Sequence, residues 1–352
     1  MDIKDYLKKA VEVKASDIHV CVGLPVVLRK HGELLYMDDN FLTVDDCYSI
    51  VQQCVDEGEM KILERDGEVD FAYAIPSVAR FRVNAFRQRG SYALAFRVIS
   101  TGIPTIKQLQ LPEVLYDLAD KPRGLVLITG PTGSGKSTTL AAMIDYINST
   151  KRCHIVTIED PIEYLHKHKQ CVINQRELGS DTMSFTNALR AALREDPDVI
   201  LVGEMRDIDT ISVALTAAET GHLVLSTLHT LGAAKTVDRI IDVFMPYQQA
   251  QVRSQLSTVL QGIVSQQLVR RADNSGRIAA TEIMLITPAI SNMIREARTV
   301  QINSSIHTGS DFGMHSMDAS LAQLYKDRII TLETAKEHAV DPAALNKLVT
   351  IG

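Results

Sequence analysis

A chain of 352 residues is long enough for two domains, and its 45% hydrophobic and 23% charged content, without a low-complexity tract, is that of a chain that folds. The net charge of −6 disfavours a nucleic-acid partner, the apolar runs are strand-length rather than membrane-length, and the N-terminal MDIKDYLKKA lacks a signal-type apolar core, so the protein is expected to be neither secreted nor membrane-spanning. Five cysteines, odd in number and never spaced CxxC, give neither a disulfide framework nor a zinc ribbon.

Residues 17–21, 26–30 and 68–99 alternate apolar and polar, the period of half-buried strands, while 44–55 and 57–64 read as short helices. An α+β module over 1–100 is expected. Within it RFRVNAFRQ (80–88) and SYALAFRVI (91–99) read as a hairpin turning at Arg89 and Gly90. That register sets Arg82 opposite Arg97, on the face away from Phe81, Val83, Tyr92, Leu94, Phe96 and Val98. Two opposed like charges cost up to about 1 kcal/mol unless an anion lies between them, and phosphate is the expected anion. The pair reads as arginine fingers offered to a neighbouring subunit's phosphates; a solvated basic face, if the turn slips by one residue, is the alternative.

STGIPTIKQLQL, with Gly102 and Pro104, reads as an extended connector, and 101–111 is expected to link the domains. From 124 onward the strands become continuously apolar (LVLIT, HIVTIE, DVILV, HLVLST) with helical stretches between them, the pattern of a parallel sheet covered on both faces. The second domain is expected over 112–352. Its part beyond about 246 has helical periodicity, notably over 246–270 and 317–345, and is expected to be a helical appendage.

GPTGSGKST follows the strand 124–129, opens a helix, and matches GxxxxGK[ST] throughout. The run Gly130, Pro131, Thr132, Gly133, Ser134, Gly135, Lys136, Ser137 and Thr138 is expected to wrap the phosphates of ATP with backbone N–H groups, with Lys136 on the β and γ oxygens and Ser137 on Mg²⁺. Two further strands end in acids: Glu159 and Asp160 with Glu163 just beyond, and Glu204. Gly203 occupies the usual magnesium-binding Asp position, so the metal relies on Ser137, nucleotide oxygens and water held by carboxylates such as Glu204. Glu204 and Glu163 both qualify to orient or deprotonate the attacking water, and the sequence does not divide the roles. Glu159 and Asp160 serve there or brace the turn. His222 and His229 bracket LVLST: His229 falls at the catalytic edge, and His222 is placed with the nucleotide-binding set, a structural histidine being the alternative.

The order GPTGSGKST, TIEDPIEY, LREDPDVILVGEMRD and TGHLVLSTLHT resembles the Walker A, Asp box, Walker B and His box of the secretion and pilus ATPase superfamily, and ASDIHV and RFRVN extend the resemblance over the first domain. The resemblance implies an α/β, RecA-like P-loop ATPase domain with a smaller N-terminal α+β, PAS-like domain. It also implies a cytoplasmic homo-hexamer hydrolysing ATP with Mg²⁺, in which Arg82 and Arg97 complete a site shared with a neighbour. Such a ring docks peripherally on a platform protein at the inner-membrane base of a pilus machine. Two features are similar to the retraction branch: no tetracysteine zinc site or large extra N-terminal region is present, and 293–321 resembles the signature AIRAGxTxQI. Arg295, Thr299, Gln301 and Ile302 are kept, while Met293 and Ala297 depart from its Ala and Gly. An ordinary amphipathic helix is the other reading of that segment. The alternatives in function are an accessory retraction paralogue, a pilus-assembly or type II secretion ATPase, a nucleic-acid translocase, or an ATP-gated adaptor.

Overall fold

The computed structural model describes residues 2–30, 32–76, 78–99 and 102–350. The chain divides into two units, 1–102 with 163–165, and 103–162 with 166–352.

The first unit is built on six strands: β1 (Asp17–Val20), β2 (Val27–Lys30), β3 (Glu33–Tyr36), β4 (Glu68–Ile75), β5 (Ala79–Gln88) and β6 (Ser91–Ile99). They form one antiparallel sheet in the order β3-β2-β1-β6-β5-β4. Arg89 and Gly90 both take positive φ, +48° and +80°, as a two-residue hairpin turn of the favoured twist requires. The register pairs Arg82 with Arg97. Helices Ile3–Glu12, Val44–Cys54 and Glu57–Asp66 supply Ile3, Leu7, Ile50, Val51 and Leu63 to a core with Ile18, Phe71, Phe81, Val83 and Phe96. Each helix begins on an acceptor that binds its own first turn, Asp2, Thr43 and Asp56 respectively.

The second unit holds β7 (Gly124–Thr129), β8 (His154–Glu159), β9 (Val172–Glu177), β10 (Val199–Val202), β11 (Leu223–Leu228), β12 (Leu260–Arg270) and β13 (Arg277–Leu285), in the order β13-β12-β7-β11-β10-β8-β9. All neighbours are parallel except β12 and β13. Leu125 and Leu127 face one apolar layer, and Val126 and Ile128 the other. The sheet is therefore buried on both sides, which explains its unbroken apolar strands.

Two expectations are corrected. The helix expected over 246–270 stops at Val259, and Leu260–Arg270 is a strand paired with β7 and β13. Leu260, Ile263, Val264 and Leu268 fit helical spacing, but a strand buried on both faces shows no alternation to distinguish it. The helical appendage begins instead at Pro288. Residues 102–111 are not extended throughout: Ile106 and Leu111 are buried beside Leu115 and Leu118, and Thr105 and Gln108 close a turn reciprocally at 2.8 and 3.1 Å. Residues 100 and 101 lie outside the described residues.

Strand β12 also fixes the loop that follows β7. Gln266, 2% exposed, donates from Nε2 to the Ser134 carbonyl at 2.6 Å and accepts from Thr139 Oγ1 at 2.8 Å. A Cβ on Gly130 would stand 2.1 Å from the Gln266 carbonyl oxygen, so no other residue lets the loop approach so closely.

Phe81→Ala, which removes a fully buried ring set edge-on against Phe96, is expected to cost the first unit about 3–5 kcal/mol, read as lost hydrogen-exchange protection in β5 and β6. Gln266→Leu leaves the Ser134 carbonyl and the Thr139 hydroxyl without their partner, and is expected to weaken binding of a fluorescent ADP analogue about tenfold at unchanged secondary structure.

Candidate nucleotide site

The helix Lys136–Thr150 has neither a side-chain cap nor an acidic residue in its first turn, whereas the helices beginning after Ser184 and Asp207 are capped. Its N-terminal turn and positive dipole end lie at the loop 130–135 and suit an anion. Lys136 is buried and donates to the carbonyls of Gly130 at 2.9 Å and Pro131 at 3.0 Å. Pro131, Thr132 and Gly133 form the exposed crest, and Ser137 and Thr138 are half-buried in the first turn. Among the described residues the buried hydroxyls of Thr129 and Ser134 have no hydrogen-bond partner. An uncapped helix start beside a buried lysine and two orphan hydroxyls fits a nucleotide's phosphates.

No cluster of three or more His, Cys, Asp or Glu among the described residues could hold a metal by itself. The oxygen donors that are present, Ser137 and the nearby carboxylates, fit Mg²⁺ only together with the nucleotide's own oxygens.

Strands β10 and β11 bring Glu204 and His229 together at the same sheet edge as the loop. Glu204, 8% exposed, is held from both sides: Arg206 Nη2 pairs with its Oε1, and His229 Nε2 lies 3.1 Å from its Oε2. Thr227 ties the two strand ends by donating to the Gly203 carbonyl at 2.6 Å. A Cβ on Gly203 would lie 3.2 Å from the Ile158 carbonyl oxygen and 3.3 Å from Glu159 Cα, so a side chain there would require β8 to give by a few tenths of an ångström. Glu204, Arg206, His229 and Arg239 line a cleft of about 340 Å³. Neither arginine was expected. The run GEMRD, with its cation two residues from the acid, carried a signal for Arg206, while Arg239 is one exposed position on an amphipathic helix and carried none.

Four other residues stand differently. Glu159 accepts from Thr157 at 2.7 Å and Gln175 at 3.1 Å, which braces it within the sheet, while Asp160 is exposed. Glu163 is exposed in the segment that groups with the first unit. His222 is corrected: it precedes β11, at the sheet edge opposite the loop, and its Nδ1 lies 2.9 Å from the Ala217 carbonyl at the end of the helix Ile208–Glu219. It is a structural group within this chain.

A second cleft of about 480 Å³ adjoins the loop, lined by Gly135, Thr138, Leu268, Arg271 and Arg277 among others, with Arg271 held by Gln110 at 3.0 Å. Its apolar and cationic walls suit a nucleobase. Misreading β12 as helix concealed Gln266 and Leu268.

In the first unit Arg82 and Arg97 are exposed on the sheet face opposite the core. The anion beside them is not left to a ligand: Asp17, on the adjacent strand, accepts from Arg97 Nε at 2.9 Å. In the C-terminal signature Ile294 and Ile302 are buried, Val300 is 83% exposed, and Ala297 takes φ +57°. A left-handed backbone favours glycine, the residue of the signature at that position.

Residues 1–312 match the family described as type II/IV secretion system protein. The chain is 49% identical to the type IV pilus retraction ATPase PilT of Pseudomonas aeruginosa, over 97% of this chain and 99% of that one. It is 48% identical to a twitching motility protein of Neisseria gonorrhoeae, over 96% and 90% respectively. The crystal structure of the pilus retraction motor PilT with bound ADP superposes with a TM-score of 0.92 at 48% identity, covering 99% of both chains. The chain belongs to the type II/IV secretion system protein family.

Proposed function

We propose that this protein is the ATP-hydrolysing motor of type IV pilus retraction, converting ATP and water to ADP and phosphate and using the work to withdraw pilin from the pilus base. The observation that carries the chemistry is the convergence of the uncapped phosphate loop with Glu204 and His229 on one sheet edge. Whole-length similarity to PilT supports the retraction load.

In this reading the phosphates lie along 130–138, Lys136 exchanges its loop carbonyls for phosphate oxygens, and the base enters the cleft beside Leu268 and Arg271. Mg²⁺, held by Ser137 and nucleotide oxygens with Glu204 acting through water, would neutralise charge developing on the phosphates. Glu204 orients the attacking water, with His229 and Arg206 fixing its two oxygens, and Glu163 is the second acid. Arg82 and Arg97 reach the nucleotide of a neighbour in a homo-hexamer, so each ATP bridges two subunits. Among the described residues no helix is long and apolar enough to cross a membrane. In this reading the ring lies in the cytoplasm and docks peripherally on a platform protein at the inner-membrane base of the machine, as the similarity to PilT suggests. Nucleic acid has no part in this reading.

Lys136→Ala is expected to abolish nucleotide binding, and normal turnover in that variant would remove the site. Arg97→Ala is expected to keep ATP binding and lose turnover by about a hundredfold or more, with partial recovery in rings mixed with Lys136→Ala subunits. A chromosomal Glu204→Gln substitution is expected to leave cells with excess surface pili and no surface motility. Bald cells would identify an assembly motor, and unchanged pili an accessory paralogue or another machine.

A further inference from the structure

The arginine pair is only half free. Across the polar face of the first unit's sheet, the register aligns Arg29 (β2), Asp17 (β1), Arg97 (β6) and Arg82 (β5) in one row. Asp17 faces Arg97 directly, and the contact uses Nε of the guanidinium at 2.9 Å. Among the described residues the Arg97 guanidinium makes no other hydrogen bond, so both of its Nη groups remain uncommitted, and Arg82 has no ion-pair partner. The two side chains differ in exposure, 16% for Asp17 against 69% for Arg97. The carboxylate is set in the wall of the sheet while the cation projects from it.

A guanidinium held at Nε presents the edge formed by its two Nη groups, which matches two oxygens of a phosphate. A free arginine samples many rotamers and must lose that freedom when it meets its ligand, whereas one tethered at the base of its planar group has already lost part of it. The carboxylate also relieves the repulsion between Arg97 and Arg82. We propose that Asp17 is a positioning residue for ATP hydrolysis, holding Arg97 by Nε so that its two Nη groups are preset for the phosphates of a neighbouring subunit's nucleotide, while Arg82 remains the mobile member of the pair. The inference rests on the reading of Arg97 as an arginine finger.

Burial pushes the Asp17 carboxyl up, and the bonds from Arg97 and Ser16 outweigh it, so the net shift is downward. The carboxylate therefore persists at neutral pH, where the tether is needed.

The test is steady-state ATPase kinetics on the full-length oligomer, with nucleotide binding followed by a fluorescent ATP analogue and ring assembly by size-exclusion chromatography. Asp17→Ala is expected to lower kcat about tenfold while KM, analogue binding and assembly change by less than about twofold, the pattern of an interaction realised in the transition state. Asp17→Asn, which keeps an oxygen acceptor for Nε, is expected to fall between Asp17→Ala and the parent. In an Arg97→Ala background, Asp17→Ala is expected to add no further loss. Full turnover in Asp17→Ala alongside lost turnover in Arg97→Ala would overturn the positioning role and leave the finger standing. An equal loss from Asp17→Ala with and without Arg97 would also overturn it, since the effect would not run through Arg97. Normal turnover in Arg97→Ala would remove the finger reading and this inference with it. If Asp17→Ala does not assemble, the near-isosteric Asp17→Asn carries the same comparison in both backgrounds.

Discussion

The second unit depends on one close approach, the backbone of β12 against the phosphate loop. Gly130 admits no Cβ because the Gln266 carbonyl lies where it would be, and the Gln266 side chain holds the loop at Ser134 and the helix at Thr139. A loop that binds anions through its own N–H groups has no side-chain framework to keep its shape. Its geometry must be imposed from the next strand, by buried hydrogen bonds whose loss costs more than their formation gains. The order β12-β7-β11-β10 then determines the rest, because parallel strands deliver Glu204 and His229 to the edge where the loop lies.

The parts of this arrangement that were legible in the sequence are those with a local physical signature. GPTGSGKST requires its glycines wherever it occurs, and the period of two in RFRVNAFRQ and SYALAFRVI carried enough information to pair Arg82 with Arg97. What was hidden involved partners far apart in the chain. LQGIVSQQLVR is apolar enough on both faces to pass for a helix, so Gln266 could not be matched with Ser134, more than a hundred residues earlier. His222 and His229 look alike as letters around one strand, yet the strand carries them to opposite edges of the sheet. Asp17 lies in a strand segment that was recognised, but its place beside Arg97 follows only from the pairing of β1 with β6.

That last contact changes how the arginine pair is understood. Taken as a hairpin alone, two opposed cations call for a phosphate. Within the six-stranded sheet, and among the described residues, one of them already has a carboxylate and the other does not. The fold thereby distinguishes the two cations, tying Arg97 at Nε to the adjacent strand and leaving Arg82 exposed on the same face.

Gly203 sets a tolerance at the seam between β8 and β10. A Cβ there would lie 3.2 Å from the Ile158 carbonyl oxygen and 3.3 Å from Glu159 Cα, so a side chain at that position requires the neighbouring strand to yield by a few tenths of an ångström. Any such yielding would be passed to Glu204, the next residue along, and through it to Arg206 and His229, which hold its two oxygens.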